Sequence, residues 1–129
     1  MDKTKNQSWN HEERRHYTRI EKHFIISYYD KNDPAVKHNI SQLKNISMGG
    51  MCFVSPQTYS TGTQMGIELK TPYVADMVHL ESIVLQAHEK IPNMIYEVRV
   101  RFEDLSSVAQ LVLNKIVDTF SKISKEKNP

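Results

Sequence analysis

A single cysteine, Cys52, leaves this 129-residue chain without an internal disulfide, so no covalent framework stabilises the fold and a reducing cytoplasm is the expected compartment. Met1 to Asn10 is polar and lacks the apolar core of a secretion signal. No run approaches the roughly 20 apolar residues that a membrane span needs, so membrane insertion is not expected. The six histidines, His11, His16, His23, His38, His79 and His88, show no metal-ligand spacing and no cysteine pair accompanies them, which argues against a metal site or a metal cofactor. A nucleophile elbow, a P-loop and carboxylate pairs in apolar surroundings are all missing, so the sequence gives no reason to expect an enzyme. Neither sign of charge dominates: 17 Lys and Arg against 15 Asp and Glu leave +2, too little to announce DNA or RNA binding.

What is present fits one compact domain with a modest core, since hydrophobic residues make up 39% and charged residues 25%. The first 13 residues read as a flexible polar arm whose one large apolar group, Trp9, either stacks on a base or packs on the domain surface. Residues 14–129 form the domain. Ile20 to Tyr29 reads as a strand with Phe24, Ile26 and Tyr28 on one face, and Asp33-Pro34 breaks it. Val36 to Ile46 is extended, Met51 to Val54 is a short run buried on both faces or at a barrel bend, and Met65, Ile67 and Leu69 alternate with polar or small neighbours. Met77 to His88 is the longest strand candidate; after a turn at Ile91-Pro92-Asn93, Met94 to Phe102 alternates most regularly.

The period then changes. Val108, Leu111, Val112, Ile116, Phe120 and Ile123 recur at helical spacing, with Ser107 and Gln110 as a capping box, which predicts a helix over about 107–124. A mainly β fold with about six strands and one amphipathic C-terminal helix follows; alternation alone leaves barrel and sandwich open.

Two polar segments stand out against this frame. Arg14-Arg15-His16-Tyr17-Thr18-Arg19 concentrates guanidinium forks suited to phosphates and to the acceptor edge of guanine. Asn45-Ile46-Ser47-Met48-Gly49-Gly50, lying between two strand-like runs, is a tight polar turn with an amide, a hydroxyl and two glycines. A solvated basic patch and an Asx or Ser turn satisfying its own backbone are the plain structural readings of the two.

Together, Arg15-x-x-x-Arg19 followed by Asn45-x-Ser47-x-x-Gly50 resembles the PilZ domain family of bacterial cyclic di-GMP receptors, over nearly the whole chain from about Arg14. The resemblance implies a six-stranded antiparallel β-barrel with a C-terminal helix, and cyclic di-GMP as a ligand held by Arg15, Arg19, Asn45, Ser47 and Gly50, with Arg14 as an additional contact. Asn45 stands where Asp is commoner in the motif, which removes a formal charge. It further implies an N-terminal arginine loop that orders on the ligand and an effect exerted through a protein partner. The alternative is a PilZ-like interaction module that docks without ligand; members of that kind typically lack the arginine motif. A small RNA-binding barrel would rest only on the basic clusters and aromatics.

Overall fold

The computed structural model describes residues 18–20 and 23–127. Among the described residues, eight strands, β1 (Thr18–Arg19), β2 (Ile25–Asp30), β3 (His38–Asn39), β4 (Gln42–Ile46), β5 (Gly50–Ser55), β6 (Gln64–Lys70), β7 (Val78–Ile91) and β8 (Ile95–Glu103), precede one helix, α1 (Ser107–Lys127). All neighbours are antiparallel, in the order β1-β4-β5-β8-β7-β6-β2-β3. The two ends of that order meet through the chain itself. β3 and β4 are halves of one extended segment bent at Ile40-Ser41, pairing with β2 before the bend and with β5 after it. At the seam the Ile40 amide donates to the Ile26 carbonyl at 2.8 Å. Counting that segment once gives the six staves of the expected barrel, and β1 occupies the other edge of β4.

Alternation sets what faces inward. Phe24, Ile26 and Tyr28, then Met65, Ile67 and Leu69, then Val98, Val100 and Phe102 all enter one core. Tyr28 crosses the interior from β2 and places its hydroxyl 2.9 Å from Ser55 Oγ on β5, two strands that are not ladder neighbours. Ser55 already donates to the Gln57 carbonyl at 2.8 Å, so Tyr28 is the donor and both buried hydroxyls are satisfied.

The helix lies where expected, and Val112, Ile116 and Phe120 of the expected stripe are buried, but its first turns are not in the expected phase. Ala109, Val112, Leu113, Ile116 and Phe120 seal the core, whereas Val108 and Leu111 are 54% and 56% exposed. The side chain of Ile123 lies outside the described residues. The cap is also one residue earlier than Ser107: Ser106 Oγ accepts the Ala109 amide at 3.1 Å, and the Gln110 side chain donates to the Leu105 carbonyl at 3.2 Å. Leu105 and Ser106 satisfy the turn because the left-handed Asp104, at φ 50°, sends the chain from β8 into the helix there.

Candidate functional site

β4 and β5 are joined by the turn Ser47-Met48-Gly49, whose geometry follows from its side chains. Ser47 Oγ accepts the Gly49 amide at 3.2 Å, and the Ser47 amide donates to the Gly50 carbonyl at 2.8 Å. Ser47 therefore shapes its own turn, as the plain structural reading has it. Neither Gly49 nor Gly50 has positive φ; Gly62 is the one glycine that does among the described residues. Gly50 is required for another reason: a Cβ there would stand 2.2 Å from the Val100 carbonyl oxygen of β8. Its missing side chain lets β5 and β8 close upon each other. At Gly49 a Cβ would meet only Ser47 Oγ, at 3.8 Å.

A β-bulge decides which way Asn45 points. Leu43 pairs with Phe53, but Asn45 pairs with Cys52 and Ile46 with Met51, so one extra residue is absorbed between Leu43 and Asn45. Leu43 and Met51 face the core, and the shift leaves Lys44 and Asn45 in succession on the outer face, both exposed. A second bulge on β7, between Val84 and Gln86, does the same for Leu85, which is 41% exposed. The two bulges aim an amide and an apolar side chain into one depression.

That depression, about 190 Å³, is lined by Asn45, Ser47, Gly49, Gly50 and Leu85 together with Arg99 and Arg101 of β8. The arginines project on the same outer face because they are two apart on one strand, opposite Cys52 and Gly50 respectively. Gly50 leaves lateral room beside Arg101, whose guanidinium makes one exposed ion pair with Glu103 at 3.4 Å. Among the described residues neither Arg99 nor the Asn45 amide has an ion-pair or hydrogen-bond partner. The site thus offers two planar cations, an amide that both donates and accepts, and an apolar wall: complementary to an anion carrying a flat heterocycle.

Of the sequence-derived candidates, Asn45, Ser47 and Gly50 are brought together here, and Arg14 and Arg15 lie outside the described residues. Arg19 is not in this depression. It lines a second one of about 400 Å³, with Phe24, Ile26 and Gln42, because β1 pairs Arg19 with Gln42, three positions before Asn45 on β4. Arg99 and Arg101 were missed as site residues. Their outward alternation was readable, but their partners required the β5–β8 register.

Fold and site define a small antiparallel barrel with an arginine-bearing depression on its outer face. The chain belongs to the PilZ domain family, which matches residues 13–118. No curated protein matches it in sequence. Among solved structures it is similar to the PilZ domain of YcgR from Escherichia coli with c-di-GMP, at 17% identity and TM-score 0.58, covering 86% of this chain and 92% of that one. It is also similar to MrkH of K. pneumonia in its apo state, at 17% identity and TM-score 0.62, covering 87% of this chain and 50% of that one. The inhibitor of motility MotI/DgrA of Bacillus subtilis aligns at 13% identity and TM-score 0.56, covering 81% and 50%. This chain spans about half the length of MotI/DgrA and of MrkH.

Proposed function

We propose that the chain is a cyclic di-GMP receptor whose ligand sits on the outer barrel face between the Asn45–Gly50 turn and the arginines, and whose effect passes through a protein partner. The observation that carries this reading is the convergence of Asn45, Leu85, Arg99 and Arg101 on one depression. Guanine presents both donor and acceptor edges, which the Asn45 amide matches, while Leu85 covers part of a base face and the guanidinium forks take phosphate oxygens or guanine O6 and N7.

The direction of β1 supports a role for the N-terminal arginines. Thr18 pairs with Leu43 and Arg19 with Gln42, antiparallel, so the chain leading into β1 comes from the side of Asn45. Arg19 stands three positions from Asn45, about 10 Å at the usual strand rise, and meets the ligand's far side rather than the turn. Ligand held by Arg15, Arg19 and Asn45 together fixes the arm along β4 and changes the surface offered to a partner.

Isothermal titration with cyclic di-GMP tests this. Saturable heat is expected, abolished by Arg15→Ala and weakened at least tenfold by Arg99→Ala, the usual cost of a charge-assisted bond. Silent titrations of the intact chain would discard the proposal. The separation of Arg19 from the turn favours one competing reading, an interaction module that docks without ligand. A partner captured equally with or without cyclic di-GMP, and equally by Arg15→Ala, would select it.

A further inference from the structure

Beside the site described above, and sharing Arg99 with it, lies a depression of about 330 Å³ over Cys52. We infer that it is a second anion site, built to hold a phosphate group between Lys44, Lys90 and Arg99.

Its shape comes from the short thiol. Cys52 points to the outer face yet is buried, because longer side chains from β4, β8 and β7 rise around it. Those walls carry three cations, Lys44, Lys90 and Arg99, beside the Gln86 amide, the His88 ring and one carboxylate, Glu97. Lys44 arrives from β4 by way of the bulge, Lys90 from β7, and Arg99 from β8 between them, with the Gln86 amide directly across from Arg99.

One carboxylate organises the cations. Glu97 is nearly buried and lies 3.4 Å from Lys44 Nζ and 3.8 Å from Lys90 Nζ, approached from opposite sides. Three permanent cations against that one carboxylate leave two positive charges uncompensated within the lining. Burial first, then the Glu97 carboxylate, push the Cys52 thiol up, so it adds no negative charge at neutral pH. A phosphate monoester carries about −1.5 to −2 near pH 7 and three acceptor oxygens, which matches both the excess charge and donors converging from three strands. A planar carboxylate offers two oxygens and half the charge. Lysines set on either side of a guanidinium repel one another, and a bound dianion removes that repulsion.

Arg99 makes the two depressions neighbours, so the phosphate can be free or can belong to a nucleotide whose base lies across Arg99 against Leu85. Amide chemical shifts of the ¹⁵N-labelled chain distinguish these. Titration with inorganic phosphate, at ionic strength held constant with chloride, is expected to shift Lys44, Cys52, His88 and Arg99 saturably. Guanosine monophosphate shifting the same set marks a free phosphate site, and added shifts at Asn45 and Leu85 mark a nucleotide phosphate; both support the inference. Lys90→Gln is expected to weaken either ligand on the order of tenfold, the effect of losing one bond between charged groups. The exposed Lys122→Gln on the helix, which removes the same charge far from the lining, should do nothing. Shifts that rise linearly without saturating, that stay within residues 45–50, or that persist undiminished in Lys90→Gln would overturn the second site.

Discussion

A methyl group at position 50 has nowhere to go, and one at position 49 does. The Gly50→Ala Cβ would press on backbone of β8 rather than on a yielding side chain, so a loss of about 1–3 kcal/mol is expected in urea unfolding. Gly49→Ala should stay within about 0.5 kcal/mol. Equal stabilities of the two variants would contradict the close approach of β5 and β8. From the sequence, Gly49-Gly50 was legible as a turn between two strands, but which glycine the fold demands depends on the strand lying beside it. Asn45 was legible as a polar group able to contact ligand; its outward aim was not, because strict alternation carries no mark of the bulge that turns Lys44 and Asn45 to the same side.

Among elements, the helix start offers a sharp comparison. Ser106→Ala removes the acceptor for the Ala109 amide and should cost about 1 kcal/mol, while Ser107→Ala should cost little; thermal unfolding of both variants checks which serine caps. Apolar residues flank the helix stripe on both sides, so periodicity fixed that a helix exists while leaving its phase one residue loose, and Val108 and Leu111 point to water instead of the barrel. β6 and, from Tyr96 on, β8 were read correctly because their alternation there has no bulge and polar residues sit at nearly every outward position, whereas Met94 lies in the preceding turn and is exposed.

The sheet's other outer face adds a charge ladder across β2, β6 and β7. Lys31 pairs with Glu81, Lys37 with Glu68 at 3.1 Å, and Tyr29 lies over Gly66 to reach His79 Nε2 at 3.1 Å. The hydrogen bond from Lys31 holds the Glu81 carboxyl below its usual range, so its contribution is present above the ordinary carboxylate pKa and is lost as pH falls through the lowered value. Because both partners are about 40% exposed, Glu81→Gln should remove only a small, salt-sensitive part of the acid limb of a stability–pH curve. An unchanged acid limb at low salt would show that the pair contributes nothing.

At the scale of the whole molecule, barrel and sandwich could not be separated from alternation because closure depends on a bend at Ile40-Ser41, a local event with no periodic signature. The arginine-rich segment and the turn were legible as a pair of motifs, and β1 supplies the physical link by entering antiparallel to β4. If ligand fixes that segment along β4, saturating cyclic di-GMP should protect the bonds after Arg14, Arg15 and Arg19 from trypsin at least several-fold, with protection falling as salt screens the contact. Identical digestion with and without ligand would remove the ordering step while leaving binding itself open to titration.

The bulges on β4 and β7 give the wall of the barrel two independent sides. Each bulge places its extra residue on the outer face, so that Leu43 and Ile46 on β4, and Val84 and Ala87 on β7, still reach the core although three positions apart, and substitutions that retune the outer pockets need not disturb the residues that close the interior. Recognition can therefore be rewritten like lettering on the outside of a cask, the staves holding while the label changes.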